Sequence, residues 1–179
     1  MTYGRLQIAN PIHCLGETEW SKIGRFTGSS AEADIGLTPD GEEQVRATAN
    51  VIVGAGKTID LSRLRKVYVS PTKRATTTFE LLMARLPAFT GMKMPRSGEI
   101  VRISLPHADQ QSSTARSNPD DVIEVEVSKD ILEWDYGDYE GKTEDQIRKN
   151  RKEEGLDQQR AWDIWSDGCK GGEYIIPRS

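Results

Sequence analysis

The chain has 179 residues, which suits a single domain with a respectable core, although only 36% of the residues are hydrophobic. A formal net charge of −4 argues against a broad nucleic-acid-binding surface and still permits a local basic pocket for a small anion. The sequence has no apolar run long enough to span a bilayer and no signal-peptide pattern at its start, so we expect a cytoplasmic protein with no membrane partner.

The chain opens with a segment that we expect to be weakly ordered. Residues 1–11 end in an Asn-Pro pair, which interrupts any strand that begins before it. The domain is therefore predicted over residues 12–179, with a short strand at residues 12–15. Residues 16–20 and 24–28 follow as two loops that contain glycine.

The first predicted helix runs from Pro39 to about Val53. Thr38 can cap this helix, proline suits its first position, and acidic residues favour the positive end of its dipole. Its apolar side chains recur at helical spacing, and Gly54 marks its end. This segment is predicted to be scaffold.

The spacing of apolar residues changes from that of a strand to that of a helix at Ser70-Pro71. Residues 66–70 alternate as a buried strand does, and Ala75 begins a run at helical spacing. Arg74 is therefore predicted in the first turn of a helix, at the carboxyl end of a strand, which is where α/β sheets bind anions. An exposed surface arginine is the alternative interpretation.

A polar stretch separates two further predicted strands. Residues 100–105 alternate as an edge strand does, residues 106–121 have the composition of a solvated insertion, and residues 122–127 return as a strand. An acidic and aromatic loop spans residues 130–141. A charged helix with a capping box follows, with Ile147 as nearly its only apolar contact.

Six short motifs along the chain carry its resemblance to a known family. They are Gly16-Glu17-Thr18-Glu19-Trp20, Gly24-Arg25-Phe26-Thr27-Gly28, Leu37-Thr38-Pro39-Asp40-Gly41-Glu42, Ser70-Pro71-Thr72-Lys73-Arg74-Ala75, Glu133-Trp134-Asp135-Tyr136-Gly137-Asp138-Tyr139-Glu140-Gly141 and Trp162-Asp163-Ile164-Trp165-Ser166-Asp167-Gly168-Cys169. In order and spacing they resemble the histidine phosphatase family, also called phosphoglycerate mutase-like, and in detail its sugar phosphatases of the sedoheptulose-bisphosphatase kind. The resemblance implies a three-layer α/β sandwich with a mostly parallel sheet flanked by helices. It also implies hydrolysis of a phosphate monoester without a metal or other cofactor.

The resemblance assigns roles to residues position by position. In this family the His of an Arg-His-Gly motif attacks phosphorus, while two arginines and a second histidine hold the phosphate oxygens. Arg74 matches the second arginine, and Ser70 borders the same pocket. Glu133 matches the general acid, which gives its proton to the leaving oxygen, and a surface glutamate is the alternative for this residue. The loop that contacts substrate matches Arg25, Phe26 and Thr27.

The sequence departs from the family pattern at the motif that carries the nucleophile. Cys14-Leu15-Gly16 stand where the family has Arg-His-Gly, and a leucine cannot be phosphorylated. His13 lies about 6.6 Å back along the strand, whereas attack needs atoms within roughly 3.5 Å. Cys14 as a thiolate nucleophile is an alternative that needs a different cradle. The second catalytic histidine is unaccounted for, because His107 falls in the polar insertion, and we therefore expect little or no turnover.

Three hypotheses stay open for this chain. The first is a sugar-phosphate phosphatase, whose activity is either residual in this chain or belongs to an intact parent protein. The second is a non-catalytic pseudoenzyme that binds phosphorylated ligands, and the third is a truncated or mis-spliced product without a stable function. Similarity breaks before Gly16 and after Glu173, so the domain is expected to be incomplete at its carboxyl end. The expected partner is a small phosphorylated metabolite, with no nucleic acid, and the pattern indicates no oligomeric state.

Overall fold

The computed structural model describes residues 16–29, 34–105 and 122–172, so the predicted lead-in at 1–11 and the insertion at 106–121 lie outside the described residues. In chain order the described residues form α1 (Glu19–Lys22), α2 (Pro39–Ile52), β1 (Lys66–Val69), α3 (Lys73–Met83), β2 (Ile100–Ser104), β3 (Val122–Val127), α4 (Glu144–Glu153) and α5 (Ile164–Asp167). Single turns of 3₁₀ helix lie between them at Leu61–Arg63, Pro87–Phe89, Lys129–Ile131 and Gly137–Tyr139.

The described strands form one three-stranded sheet in the order β1-β3-β2. β1 runs parallel to β3, with Val67 opposite Val125, and β2 runs antiparallel to β3, with Arg102 opposite Glu124. The prediction of an edge strand at residues 100–105 is confirmed. The sheet of the described residues is mixed, because this edge strand is antiparallel to its neighbour.

One face of the sheet is apolar and is covered by helices. Ile123 and Val125 of β3 are fully buried, and they share a core with Phe79 and Met83 of α3. Burying a side chain of this size contributes about 1.5–3 kcal/mol relative to leaving it exposed. The helix that carries Arg74 is therefore fixed to the sheet by its apolar side.

α2 forms as its sequence predicts. Thr38 Oγ1 accepts a hydrogen bond from the backbone N–H of Gly41 at 2.9 Å, proline occupies the first helical position, and the helix ends at Ile52. Val45 is fully buried in a cluster with Leu82 of α3. The helix is scaffold that supports α3.

The opposite face of the sheet carries charged and exposed side chains. Lys66 Nζ lies 2.8 Å from Glu126 Oε2, and Arg102 Nη2 lies 2.9 Å from Glu124 Oε1. Tyr68 is 55% exposed on the same face of β1. The expectation that β1 is a buried strand is therefore wrong for alternate residues, because in the described sheet β1 turns one set of side chains to solvent.

α4 lies on the surface, in agreement with its charged sequence. Thr143 and Gln146 form a reciprocal capping box at its start. Ile147 is the helix's one buried side chain, and it packs with Tyr139 and Trp162 in a second core. The prediction of a single apolar contact is confirmed.

Residues 16–20 differ from their predicted loop, because α1 begins within them. Thr18 Oγ1 accepts a hydrogen bond from the backbone N–H of Ser21 at 3.1 Å, and Ser21 Oγ accepts one from the backbone N–H of Thr18 at 2.8 Å. This reciprocal pair has serine where the usual capping box has glutamate or glutamine. The substitution hides the helix start from pattern recognition.

Candidate active site

Arg74 is the second residue of α3, and its side chain is buried. β1 ends at Val69, and Pro71 turns the chain so that the helix starts two residues later. Arg74 is 8% exposed, and its Nη2 donates to the carbonyl oxygens of Gly28 at 3.2 Å and Thr27 at 3.5 Å. The predicted position in the first helical turn is confirmed. The alternative of an exposed surface arginine is wrong, because a neighbouring loop covers the guanidinium.

An anionic side chain of the protein lies at the N-terminus of α3. Thr72, the residue before the helix, makes no side-chain capping hydrogen bond. Asp34 Oδ1 instead accepts a hydrogen bond from the backbone N–H of Lys73 at 2.6 Å, across 39 positions of sequence. A carboxylate is stabilised there by the positive end of the helix dipole. The helix N-terminus where the sequence predicts a phosphate therefore already carries the carboxylate of Asp34.

The two loops that the family resemblance identifies lie against each other. Phe26 N donates to the Lys142 carbonyl oxygen at 3.0 Å, and Gly141 N donates to the Phe26 carbonyl oxygen at 2.9 Å. Ser29 N donates to the Trp134 carbonyl oxygen at 3.0 Å. These backbone hydrogen bonds join segments that are far apart in sequence, and they form one wall beside Arg74.

Aromatic packing holds Phe26 in this wall. Its ring centroid lies 5.1 Å from that of Tyr136 and 5.8 Å from that of Trp162, and Tyr139 lies 5.3 Å from Trp162. Trp162 Nε1 donates to the Gly168 carbonyl oxygen at 3.1 Å, so its polar atom is satisfied. Pairs of this kind contribute about 0.5–1.5 kcal/mol beyond their buried area. The geometry gives Phe26 a packing role, and its contact with substrate stays a prediction.

Tyr136 is a half-buried residue of the loop that carries the predicted general acid. Burial is the largest cause that raises the pKa of its hydroxyl to about 12. The negative charges of Glu133, Cys169 and Glu140 act in the same direction, and the positive charge of Arg74 opposes them. Glu133 and Arg74 therefore both act on the pKa of this hydroxyl, and their placement in one site stays a prediction.

Glu133 itself is exposed, and its Oε1 accepts a hydrogen bond from the backbone N–H of the next residue at 3.2 Å. Its location is that of a surface glutamate, which is the alternative given for this residue in the sequence analysis. Trp134, the aromatic residue that follows Glu133, packs edge-on against Trp165 with ring centroids 5.5 Å apart. Its role as proton donor stays a prediction.

Ser70 precedes Arg74 by four residues, and Arg25 and Thr27 belong to the loop that contacts the Arg74 guanidinium. Ser70 is half-buried, and its Oγ lies 3.5 Å from Thr72 Oγ1. Arg25 is exposed, and its carbonyl oxygen accepts a hydrogen bond from the Thr27 hydroxyl at 3.3 Å. Cys14 and Leu15, with His13 and His107, lie outside the described residues, so their roles stay sequence predictions.

Asp34 and Glu140 are two residues at this site to which the sequence analysis gives no role. Glu140 lies inside a quoted motif, and its two carboxylate oxygens accept backbone hydrogen bonds from Gly28 and Tyr136. Asp34 lies in no motif. The contact of Glu140 with Gly28 and that of Asp34 with Lys73 span 112 and 39 positions, and a local pattern carries no signal for them.

None of the helices in residues 16–29, 34–105 and 122–172 is long and apolar enough to cross a membrane. In the same part of the chain no three His, Cys, Asp or Glu side chains gather as metal ligands would.

Comparisons with known proteins agree on one family. Residues 14–94 match the model of the histidine phosphatase superfamily (branch 1). Sedoheptulose 1,7-bisphosphatase of Saccharomyces cerevisiae (strain ATCC 204508 / S288c) is 34% identical over 158 residues, which are 88% of this chain and 46% of that protein. Acid phosphatase of Mycobacterium tuberculosis (strain ATCC 25618 / H37Rv) is 26% identical over 160 residues, or 89% of this chain and 52% of that protein.

A solved structure supports the fold. The crystal structure of a candidate alpha-ribazole-5'-P phosphatase from Escherichia coli (strain K-12, substrain MG1655) superposes with a TM-score of 0.52 at 16% identity, over 90% of this chain and 56% of that one. This chain spans about half the length of the curated relatives that it matches. The family and fold predicted from the motifs are confirmed. The chain carries a histidine phosphatase superfamily domain with the phosphoglycerate mutase-like α/β fold.

Proposed function

We propose that this domain binds the phosphate group of a small phosphorylated sugar beside Arg74 and hydrolyses the ester slowly or not at all. The observation that carries the proposal is the buried guanidinium at the start of α3, which a hydrogen bond to the Gly28 carbonyl oxygen orients. Arginine keeps its charge at all physiological pH values, and its planar N–H groups match phosphate oxygens. The relatives, a sugar bisphosphatase and an acid phosphatase, favour a phosphorylated ligand.

Slow turnover is proposed because the sequence lacks the family's nucleophile. Leu15 stands at the position of the phosphate-accepting histidine, and Cys14 at that of the first arginine. Loss of one member of a cooperating catalytic set costs on the order of 10⁴ to 10⁶ in rate. Glu133 can give a proton to the leaving oxygen, but a proton donor does not replace the group that attacks phosphorus.

Calorimetric titration of the purified chain tests the binding half of the proposal. Inorganic phosphate and a sugar bisphosphate are titrated into the wild-type protein, Arg74→Ala and the control Arg46→Ala. Arg46 is an exposed arginine that pairs with Glu42 on α2. We expect Arg74→Ala to weaken phosphate binding at least about tenfold, because a charge-assisted pair is lost. Wild-type protein that binds neither ligand, or equal affinities in all three proteins, overturns the proposal.

Turnover is measured separately with p-nitrophenyl phosphate and sugar bisphosphates. Rates equal to those of buffer are expected, together with the phosphate binding described above. Hydrolysis that Arg74→Ala abolishes supports the alternative of a working sugar-phosphate phosphatase. A covalent phospho-adduct on any side chain during turnover overturns the proposed lack of a nucleophile.

A further inference from the structure

Glu140 joins the two loops beside Arg74 through its carboxylate. Its Oε2 accepts the backbone N–H of Gly28 at 2.8 Å, and its Oε1 accepts that of Tyr136 at 3.2 Å. Gly28 and Glu140 are 112 positions apart in sequence, and both contacts are partly buried. Hydrogen bonds from neutral donors to an ionised acceptor are about twice as strong as those between neutral groups. One side chain therefore fixes both loops.

Gly28 is hydrogen-bonded both to Glu140 and to Arg74 and so links the two residues. Its N–H is held by Glu140, and its carbonyl oxygen accepts Arg74 Nη2 at 3.2 Å. Gly28 is buried, and a Cβ placed on it would lie 2.0 Å from Glu140 Oε1 and 2.2 Å from the Trp134 carbonyl oxygen. The residue thus has little room to move, and its carbonyl oxygen is a fixed acceptor for the guanidinium.

We propose that Glu140 is a positioning residue that sets the orientation of the Arg74 guanidinium through Gly28. The phosphate-binding part of this inference rests on the proposed function, and the orientation of the guanidinium does not. A carboxylate suits the role because each of its two oxygens accepts one of the two N–H groups, Oε2 that of Gly28 and Oε1 that of Tyr136. A glutamine at this position has one acceptor oxygen, and its NH₂ group faces an N–H donor. An aspartate keeps both oxygens on a shorter side chain.

The test uses Glu140→Gln, Glu140→Asp and the control Glu154→Gln in the full chain. Glu154 is an exposed carboxylate whose Oε2 lies 3.0 Å from Lys170 Nζ. Two quantities are measured, the affinity for inorganic phosphate and the nitrogen-15 NMR signals of the Gly28 amide and the Arg74 guanidinium. We expect Glu140→Gln to weaken phosphate binding about tenfold, because the substitution removes one hydrogen bond from a backbone N–H to a charged carboxylate. Glu154→Gln is expected to match the wild type.

A double-mutant cycle with Arg74→Lys separates positioning from general stability. If Glu140 acts through Arg74, Glu140→Gln adds little to the loss of affinity that Arg74→Lys already causes. Full additivity of the two losses overturns the inference. If Glu140→Gln does not fold, Glu140→Asp replaces it in the cycle, and retention of both carboxylate oxygens is expected to leave part of the wild-type affinity.

The NMR measurement distinguishes failure of the inference from failure of the proposed function. Wild-type protein that binds no phosphate overturns the proposed function alone. In that case the positioning role is decided by the guanidinium signals, which are expected to broaden or shift in Glu140→Gln together with the Gly28 amide. Guanidinium signals that stay as in the wild type, while the Gly28 amide moves, overturn the inference.

Discussion

The carboxylate of Asp34 accepts the backbone N–H of Lys73 at 2.6 Å, one residue before the buried Arg74. This contact places a negative charge at the positive end of α3, whose second residue carries the guanidinium that is proposed to bind phosphate. The carboxylate stabilises the helix start, and it repels an incoming anion. The same interaction thus favours folding and opposes ligand binding.

Asp34→Asn is expected to strengthen binding of inorganic phosphate by about three- to tenfold, because a like charge near the ligand is removed. The variant is also expected to lose about 0.3–1 kcal/mol of unfolding free energy as the charge–dipole interaction weakens. Calorimetric titration at low ionic strength measures the first quantity, and urea unfolding the second. The matched control is Asp40→Asn, since Asp40 is an exposed carboxylate in the first turn of α2. It should lose similar stability with unchanged affinity, and unchanged affinity in Asp34→Asn would contradict the electrostatic argument.

Gly28→Ala is expected to destabilise the domain by about 2–3 kcal/mol, because an added Cβ meets groups that cannot move away easily. The alanine Cβ would lie 2.2 Å from the Trp134 carbonyl oxygen, which belongs to the backbone of the opposing loop. Gly36→Ala is the control, where the Cβ would lie 3.2 Å from Cε at the end of the flexible Lys73 side chain. Its effect should stay within about 1 kcal/mol. Chemical denaturation measures both, and a Gly28→Ala variant as stable as Gly36→Ala disproves the tight fit.

The elements that the sequence predicted correctly are those whose causes are local. Thr38 caps α2 three residues from the N–H it accepts, and Ile147 marks the one apolar side of α4. The burial of Arg74 has a different origin, since its acceptor Gly28 lies 46 positions away. Helical spacing identifies the first turn of α3 and carries no information about which loop covers it.

The candidate site shows the same division. The family resemblance assigns Arg74 and Glu133 to one site, and the charges of both act on the pKa of Tyr136. The contacts of Asp34 and Glu140 span 39 and 112 positions and depend on how the loops pack. Side chains that hold backbone N–H groups across loops have no periodicity, so a single sequence does not reveal them.

The raised pKa of Tyr136 leads to a prediction about the stability of the domain at alkaline pH. Its pKa is raised to about 12, mainly by burial, from the ordinary value of 10.0. Between these two values the unfolded chain loses the hydroxyl proton first, so the free energy of unfolding falls as the pH rises from about 10 to 12. Because the hydroxyl is only partly buried, the loss from this group is expected to be about 1–2 kcal/mol.

Tyr136→Phe removes this contribution, and its unfolding free energy should fall less steeply over the same pH range. The control is Tyr68→Phe, because Tyr68 is 55% exposed on the open face of the sheet. Urea unfolding at pH 9, 10, 11 and 12 provides the comparison. Parallel curves for Tyr136→Phe and the wild type would show that the hydroxyl is not shielded from solvent in the folded domain.

The ion pair between Arg151 and Asp157 leads to a prediction about the stability of the domain at acidic pH. Arg151 Nε donates to both oxygens of Asp157 at 3.0 and 2.9 Å, and Arg151 Nη1 donates to the Tyr139 hydroxyl at 3.0 Å. The hydrogen bonds from Arg151 hold the pKa of Asp157 below its ordinary value of 3.8. A carboxylate with a depressed pKa stabilises the fold above the pKa of the unfolded chain, and this contribution is lost as the pH falls through the folded value.

Asp157→Asn is therefore expected to lower the midpoint of thermal unfolding by several degrees at pH 7, and this deficit should shrink as the pH falls below 3.8 toward the lower pKa of the folded carboxyl group. Asparagine tolerates the left-handed backbone conformation of this residue, whose φ is 59°, so the substitution changes the charge and leaves the backbone unstrained. Glu42→Gln is the control, since it breaks the exposed pair with Arg46 and should alter the midpoint little at any pH. A deficit in Asp157→Asn that is as large at pH 3 as at pH 7 would mean that packing of the side chain, and not its charge, stabilises this part of the domain.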